Sequence, residues 1–202
     1  MHATTAYSAD QALQRLKDGN ERFLRGEARF PTVRKETLAD LAKAQRPFAT
    51  ILGCSDSRVP PELIFDADFG ELFIVRVAGN VVSGEVMGSL QYAGSHLHTP
   101  LFVVLGHEGC GAVRAALDTM LLGTQHKSRI QILVDAIVPG LQDVDVQLPI
   151  DARVQQAVEH NARWSIHQLM ATPEGKSAVE EGRAKIVGAL YEIAAGRVRW
   201  LD

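Results

Sequence analysis

The chain has 202 residues, 46% hydrophobic and 22% charged, with a formal net charge of −3. That length suits one well-buried domain, and the balance is that of a globular protein rather than a disordered or fibrous one. The weak negative charge gives no electrostatic reason to expect nucleic acid or an anionic membrane as partner, and no run approaches the roughly 20 apolar residues of a membrane span. The first ten residues lack the basic and apolar regions of a secretory signal, so the expectation is a cytoplasmic protein.

From residue 8 to 25 an amphipathic helix is expected, with Leu13, Leu16, Phe23 and Leu24 at helical spacing, Ser8 or Asp10 as cap and Gly26 at its end. A second helical stretch covers 35–44. The rhythm then changes: 48–53, 72–77 and 101–105 are short apolar runs with β-branched or aromatic content, and 85–96 between the last two suits a helix. Helices are expected over 113–122, 130–138 and 153–170, with a loop at 143–151. After a turn at 172–175 come a short helix, a strand at 185–191, a turn at Ala195–Gly196 and a last strand at 197–201. Strands alternating with helices indicate one α/β domain with a mostly parallel sheet, an N-terminal helical arm over 1–45 and a core over 46–202.

The chain has two cysteines, Cys54 and Cys110, too few for a disulfide framework. Cys54 ends the first expected strand in Gly53-Cys54-Ser55-Asp56-Ser57-Arg58; His107 and Cys110 follow the third in Gly106-His107-Glu108-Gly109-Cys110-Gly111. Ligands of open α/β sheets gather at the carboxyl ends of strands, so both segments reach one edge. Gly109 and Gly111 permit a tight turn between His107 and Cys110. Two thiolates and an imidazole suit zinc, and three protein ligands leave a position open for chemistry. Asp56 and Arg58, two residues apart, are either a surface ion pair or a working one; in the latter case Arg58 keeps Asp56 ionised to orient water, unless Asp56 binds the metal itself and closes the site.

The run Cys54-Ser55-Asp56-Ser57-Arg58-Val59-Pro60, followed by His107-Glu108-Gly109-Cys110-Gly111, resembles the β-carbonic anhydrase family. So do Phe73-Ile74-Val75-Arg76-Val77-Ala78-Gly79-Asn80 and, near the end, Ile186-Val187-Gly188-Ala189-Leu190-Tyr191. The resemblance implies Zn2+ held by Cys54, His107 and Cys110, with Asp56 and Arg58 as catalytic dyad. It implies four parallel strands with an antiparallel edge strand, flanked by helices, the N-terminal ones packing on a partner subunit in a homodimer or dimer of dimers. Gln45 then reaches the partner's site to bind bicarbonate, Phe73, Ala78 and Tyr92 line a small apolar pocket, and Gly111 supplies a backbone N–H. The activity implied is reversible hydration of carbon dioxide to bicarbonate by attack of zinc-bound hydroxide. Hydrolysis of carbonyl sulfide or carbon disulfide on the same scaffold, and a non-catalytic closed zinc domain, stand as alternatives. In the best-marked members of the family that close the site with the aspartate, a tryptophan stands three residues before the first cysteine; this chain has Ile51 there, together with Gln45, a mark of the open group, and an open site is expected at neutral and alkaline pH. His96, His98 and His126 are read as solvated or core histidines rather than proton shuttles.

Overall fold

A computed structural model describes residues 7–29, 38–39 and 41–201. The first helix, α1 (Ala9–Leu24), opens on a capping box: the Ser8 side chain accepts from the Gln11 N–H, and the Gln11 side chain accepts from the Ser8 N–H. Of the two cap residues the sequence offered, Ser8 is the one used. Of the helix expected over 35–44, residues 35–37 and 40 lie outside the described residues; 38, 39 and 41 are helical, and Ala42 N donates to the Leu38 carbonyl at 3.0 Å before the chain turns away.

The remaining elements in chain order are β1 (Ala49–Gly53), α2 (Pro61–Ile64), β2 (Leu72–Arg76), a 3-10 turn (Ala78–Asn80), α3 (Gly84–Ser95), β3 (Leu101–His107), α4 (Gly111–Leu122) and α5 (Ile130–Ile137). A second 3-10 turn (Val138–Leu141), α6 (Ile150–Met170), α7 (Pro173–Glu180), β4 (Lys185–Glu192) and β5 (Arg197–Leu201) follow. The strands form one five-stranded sheet in the order β2-β1-β3-β4-β5, parallel except for β5, which runs antiparallel to β4. This is the expected α/β architecture.

Because side chains alternate across a strand, β1 and β3 feed two cores. Leu52 and Val104 face the core built by α3, α4, α5 and α6. Ile51, Val103 and Leu105 face the core closed by Ala12 and Leu16 of α1 with Ile64 of α2. β1 and β3 are buried along their whole length, which is why they read as largely apolar runs; the polar Thr50 within β1 is paired, its hydroxyl 2.8 Å from that of Thr99. The buried face of α1 is thus spent on its own chain's sheet. No helix among the described residues is long and apolar enough to cross a membrane.

Several boundaries differ from the sequence reading, three of them with a visible cause. β3 runs two residues past Leu105, because Gly106 and His107 stay in register with Leu190 and Tyr191 of β4; His107 therefore ends the strand rather than following it. α6 begins at Ile150, directly after the extended Pro149, where a loop to 151 was expected. The expected turn at 172–175 is the start of α7, with Thr172 Oγ1 accepting from Gly175 N at 3.0 Å.

Candidate metal centre

Parallel order places β1 and β3 side by side, so the residues leaving their carboxyl ends meet. Cys54 follows β1, His107 ends β3, and Cys110 caps α4 after a turn in which Gly109 takes φ +62°. A residue with a side chain would be strained in that left-handed position. Strand β4 anchors the turn from outside, as Glu108 N donates to Tyr191 O at 2.9 Å. The two sulfurs and a ring nitrogen of His107 lie within 4.8 Å of one another, and all three residues are buried.

The chemistry of this cluster is that of a cation site. His107 Nδ1 is 2.9 Å from the Glu108 carbonyl. A carbonyl only accepts, so the proton sits on Nδ1 and Nε2 carries a lone pair. Nε2 is fully buried and has no hydrogen-bond partner among the described residues. Such an orphan is costly unless something electrophilic meets it. The Cys54 thiol is held well below its usual range, first by the hydrogen bond with Cys110; burial opposes this, and the backbone N–H groups of Gly79 and Asp56 add to it. The same contact, with burial, pushes Cys110 up, against the N–H groups of Val113 and Ala112 at the start of α4. One thiolate charge beside an aimed lone pair fits a soft or borderline ion such as zinc.

Asp56 sits beside this cluster and is held by Arg58. Nε and Nη2 of Arg58 donate to its two oxygens at 2.9 and 2.7 Å, and Arg58 N adds a third bond at 3.0 Å. That fork holds the Asp56 carboxyl well below the usual carboxylate range. Asp56 Oδ2 stops 3.9 Å from His107 Nε2.

The other residues singled out from sequence scatter more widely. Gln45 is exposed on the segment leading to β1. Phe73 on the edge strand β2 is half-buried and meets the half-exposed Tyr92 of α3, ring centres 6.3 Å apart. Ala78 opens the first 3-10 turn. Gly111 is the first residue of α4, where a helix N–H has no intrahelical partner. His96 leans on Tyr92, and His126 Nε2 is 3.3 Å from the Ala115 carbonyl. A cavity of about 570 Å³ between α3 and α7 is lined by Leu90, Phe102 and Leu169 but by none of the three cluster residues.

Two groups escaped the sequence reading. Arg76 donates from Nε to the Cys54 carbonyl at 2.9 Å and from Nη2 to the Asp56 carbonyl at 2.6 Å, so the end of β2 braces the turn bearing ligand and dyad. Gly79 N donates to Cys54 Sγ at 3.3 Å. Both lie in the run 73–80 that marked the resemblance, but no local pattern says which atoms they touch.

A family profile described as carbonic anhydrase matches residues 49–198. The chain is 38% identical over 191 residues to a carbonic anhydrase of Mycolicibacterium smegmatis, spanning 93% of this chain and 90% of that one. It is 39% identical over 194 residues to carbonic anhydrase 2 of Mycobacterium tuberculosis, spanning 92% and 89%. Among solved structures, the β-carbonic anhydrase CcaA superposes with a TM-score of 0.75 at 27% identity, over 94% of this chain and 95% of that one. A match to tetrameric β-carbonic anhydrases of Sordaria macrospora, TM-score 0.76 at 23% identity over 94% and 96%, shows the shared fold. With its parallel sheet and the Cys54–His107–Cys110 cluster at the strand ends, the chain belongs to the β-class carbonic anhydrase family.

Proposed function

We infer that the protein hydrates carbon dioxide reversibly to bicarbonate with zinc held by Cys54 Sγ, His107 Nε2 and Cys110 Sγ. The observation that carries this reading is the buried, unpartnered His107 Nε2 in a cluster whose two sulfurs and histidine ring nitrogen lie within 4.8 Å of one another. Zinc bound by these three residues would supply Lewis acidity, which makes water far more acidic than in bulk; in the three-histidine carbonic anhydrases its pKa falls to about 7.

The chain's own residues do the rest. Both Asp56 oxygens accept from Arg58, which keeps the carboxylate ionised and facing the cluster as an acceptor for a water proton. This engagement supports an open site and leaves a closed arrangement, with Asp56 as fourth ligand, without support. On this reading Phe73 and Tyr92, whose rings meet, supply with Ala78 the apolar lining that an uncharged linear substrate needs. The free N–H of Gly111 meets negative charge as bicarbonate forms. Gln45, exposed on this chain, serves the site of a second copy by donating its amide to bicarbonate. The working unit is accordingly a homodimer or a dimer of dimers.

Metal analysis with carbon dioxide hydration tests the reading. Close to one zinc per chain is expected, with activity lost on chelation and restored by zinc alone. Full activity in metal-free protein would overturn it.

A further inference from the structure

Two thiolates and one imidazole surround a cation with more negative charge than three imidazoles do. That charge works against making water acidic, so groups that touch the sulfurs matter as much as the sulfurs themselves. Gly79 is such a group: its N–H points at Cys54 Sγ, 3.3 Å away. Holding it there is not simple. Gly79 has φ +70° inside an irregular turn, and a Cβ on it would stand 2.7 Å from Ile137 Cδ1 and 3.0 Å from Ala112 Cβ. The following residue, Asn80, is also left-handed at φ +46°.

What holds this turn comes from α6. Asn161 Nδ2 donates to the Gly79 carbonyl at 2.9 Å. One helical turn later, Ser165 Oγ lies 3.1 Å from the Asn80 carbonyl and 3.4 Å from Asn80 Nδ2. Asn161 and Ser165 are each 1% exposed. Gly79 is thus gripped on both sides, its N–H on the sulfur and its carbonyl on Asn161. Asn161 Oδ1 has no partner among the described residues. A buried amide that leaves its own oxygen unsatisfied is an expensive way to fill space. The work it does lies on its N–H side.

We propose that Asn161, supported by Ser165, is a positioning residue for the metal centre: it aims the Gly79 N–H at Cys54 Sγ and so reduces the charge that this sulfur delivers to the ion. The inference rests on the zinc site described above. A merely architectural role for Asn161 would affect stability alone, whereas a role in aiming the N–H changes the electronic state of the sulfur.

Cobalt(II) in place of zinc reads that state directly, through the thiolate-to-metal charge-transfer absorption in the near ultraviolet. A hydrogen bond to sulfur lowers its lone-pair energy, so losing the bond moves this absorption to longer wavelength. Asn161→Leu keeps the volume and removes the donor. In the full chain it is expected to shift the band to longer wavelength. Ser165→Ala should shift the band the same way by less. An unchanged band in folded Asn161→Leu overturns the inference, whatever happens to stability. Should Asn161→Leu fail to fold, Asn161→Ser is decided by the same band. A wild-type chain that takes up no cobalt overturns the site reading itself, and is told apart by the absence of the band in every protein.

Discussion

Gly19 lies in the middle of α1, where replacing glycine by alanine ordinarily stabilises a helix by about 1 kcal/mol. Here the opposite sign is expected. A Cβ on Gly19 would stand 1.9 Å from the Phe65 carbonyl oxygen and 2.7 Å from its carbon, where real Cβ atoms do not come within 3.0 Å. Both are backbone atoms just after α2 and cannot swing aside, so α1 must retreat by about 1 Å. Its neighbour Asn20 then suffers: Nδ2 donates to the Ile64 and Gly196 carbonyls at 3.2 and 3.0 Å, and Oδ1 accepts from Val198 N at 2.9 Å. Overpacking costs roughly 1–3 kcal/mol, and weakening these three bonds, two buried and one partly buried, adds about 1 kcal/mol each at most. Set against the propensity gain, Gly19→Ala should destabilise by about 2–4 kcal/mol. With a urea slope of about 2 kcal/mol/M, the unfolding midpoint should fall by roughly 1–2 M. Oligomeric state must be matched between the two proteins, since association shifts apparent stability. A midpoint equal to or above wild type would refute the close approach of α1 to Phe65.

Cys54→Ala and His107→Ala should each lose zinc and carbon dioxide hydration together, because no other His or Cys cluster among the described residues offers a substitute; full activity in either variant would count against the cluster. Arg58→Ala should keep its metal but lower the turnover number by about 10- to 100-fold, as two side-chain bonds to Asp56 disappear; comparing metal content with turnover checks this. Asp66 should contribute to acid unfolding. Burial raises its carboxyl, but Arg22 and the backbone and side chain of Arg29 outweigh that, leaving it lowered in the folded chain. Its stabilisation is therefore present above the unfolded value of about 3.9 and is lost as pH falls through the folded one. Asp66→Asn should flatten that part of the stability profile in urea titrations between about pH 2 and 5. Sedimentation should find a dimer or a dimer of dimers, with Gln45→Ala impaired in turnover but not in metal content; a fully active monomer would remove Gln45 from the site.

Much of this protein is legible in the chain because the signals are local. Apolar runs at 101–105 and at 48–53, the latter interrupted only by Thr50, mark strands buried on both faces, and residues next to Gly53, Gly106 and Gly109 fall at their carboxyl ends. The choice of Cys, His and Cys expresses the softness a zinc site needs, whatever surrounds them. The bracing of that site is another matter. Arg76 on the carbonyls of Cys54 and Asp56, Asn161 on the carbonyl of Gly79, and Gly19 against Phe65 join residues 20 to 82 positions apart. Whether Gly106 and His107 continue β3 likewise depends on β4 running beside them, about eighty residues later. Local propensity decides which element forms and which chemistry it carries. Only the packing of those elements decides which N–H faces which oxygen or sulfur, because that geometry depends on ångström-scale approach between segments that share no sequence pattern.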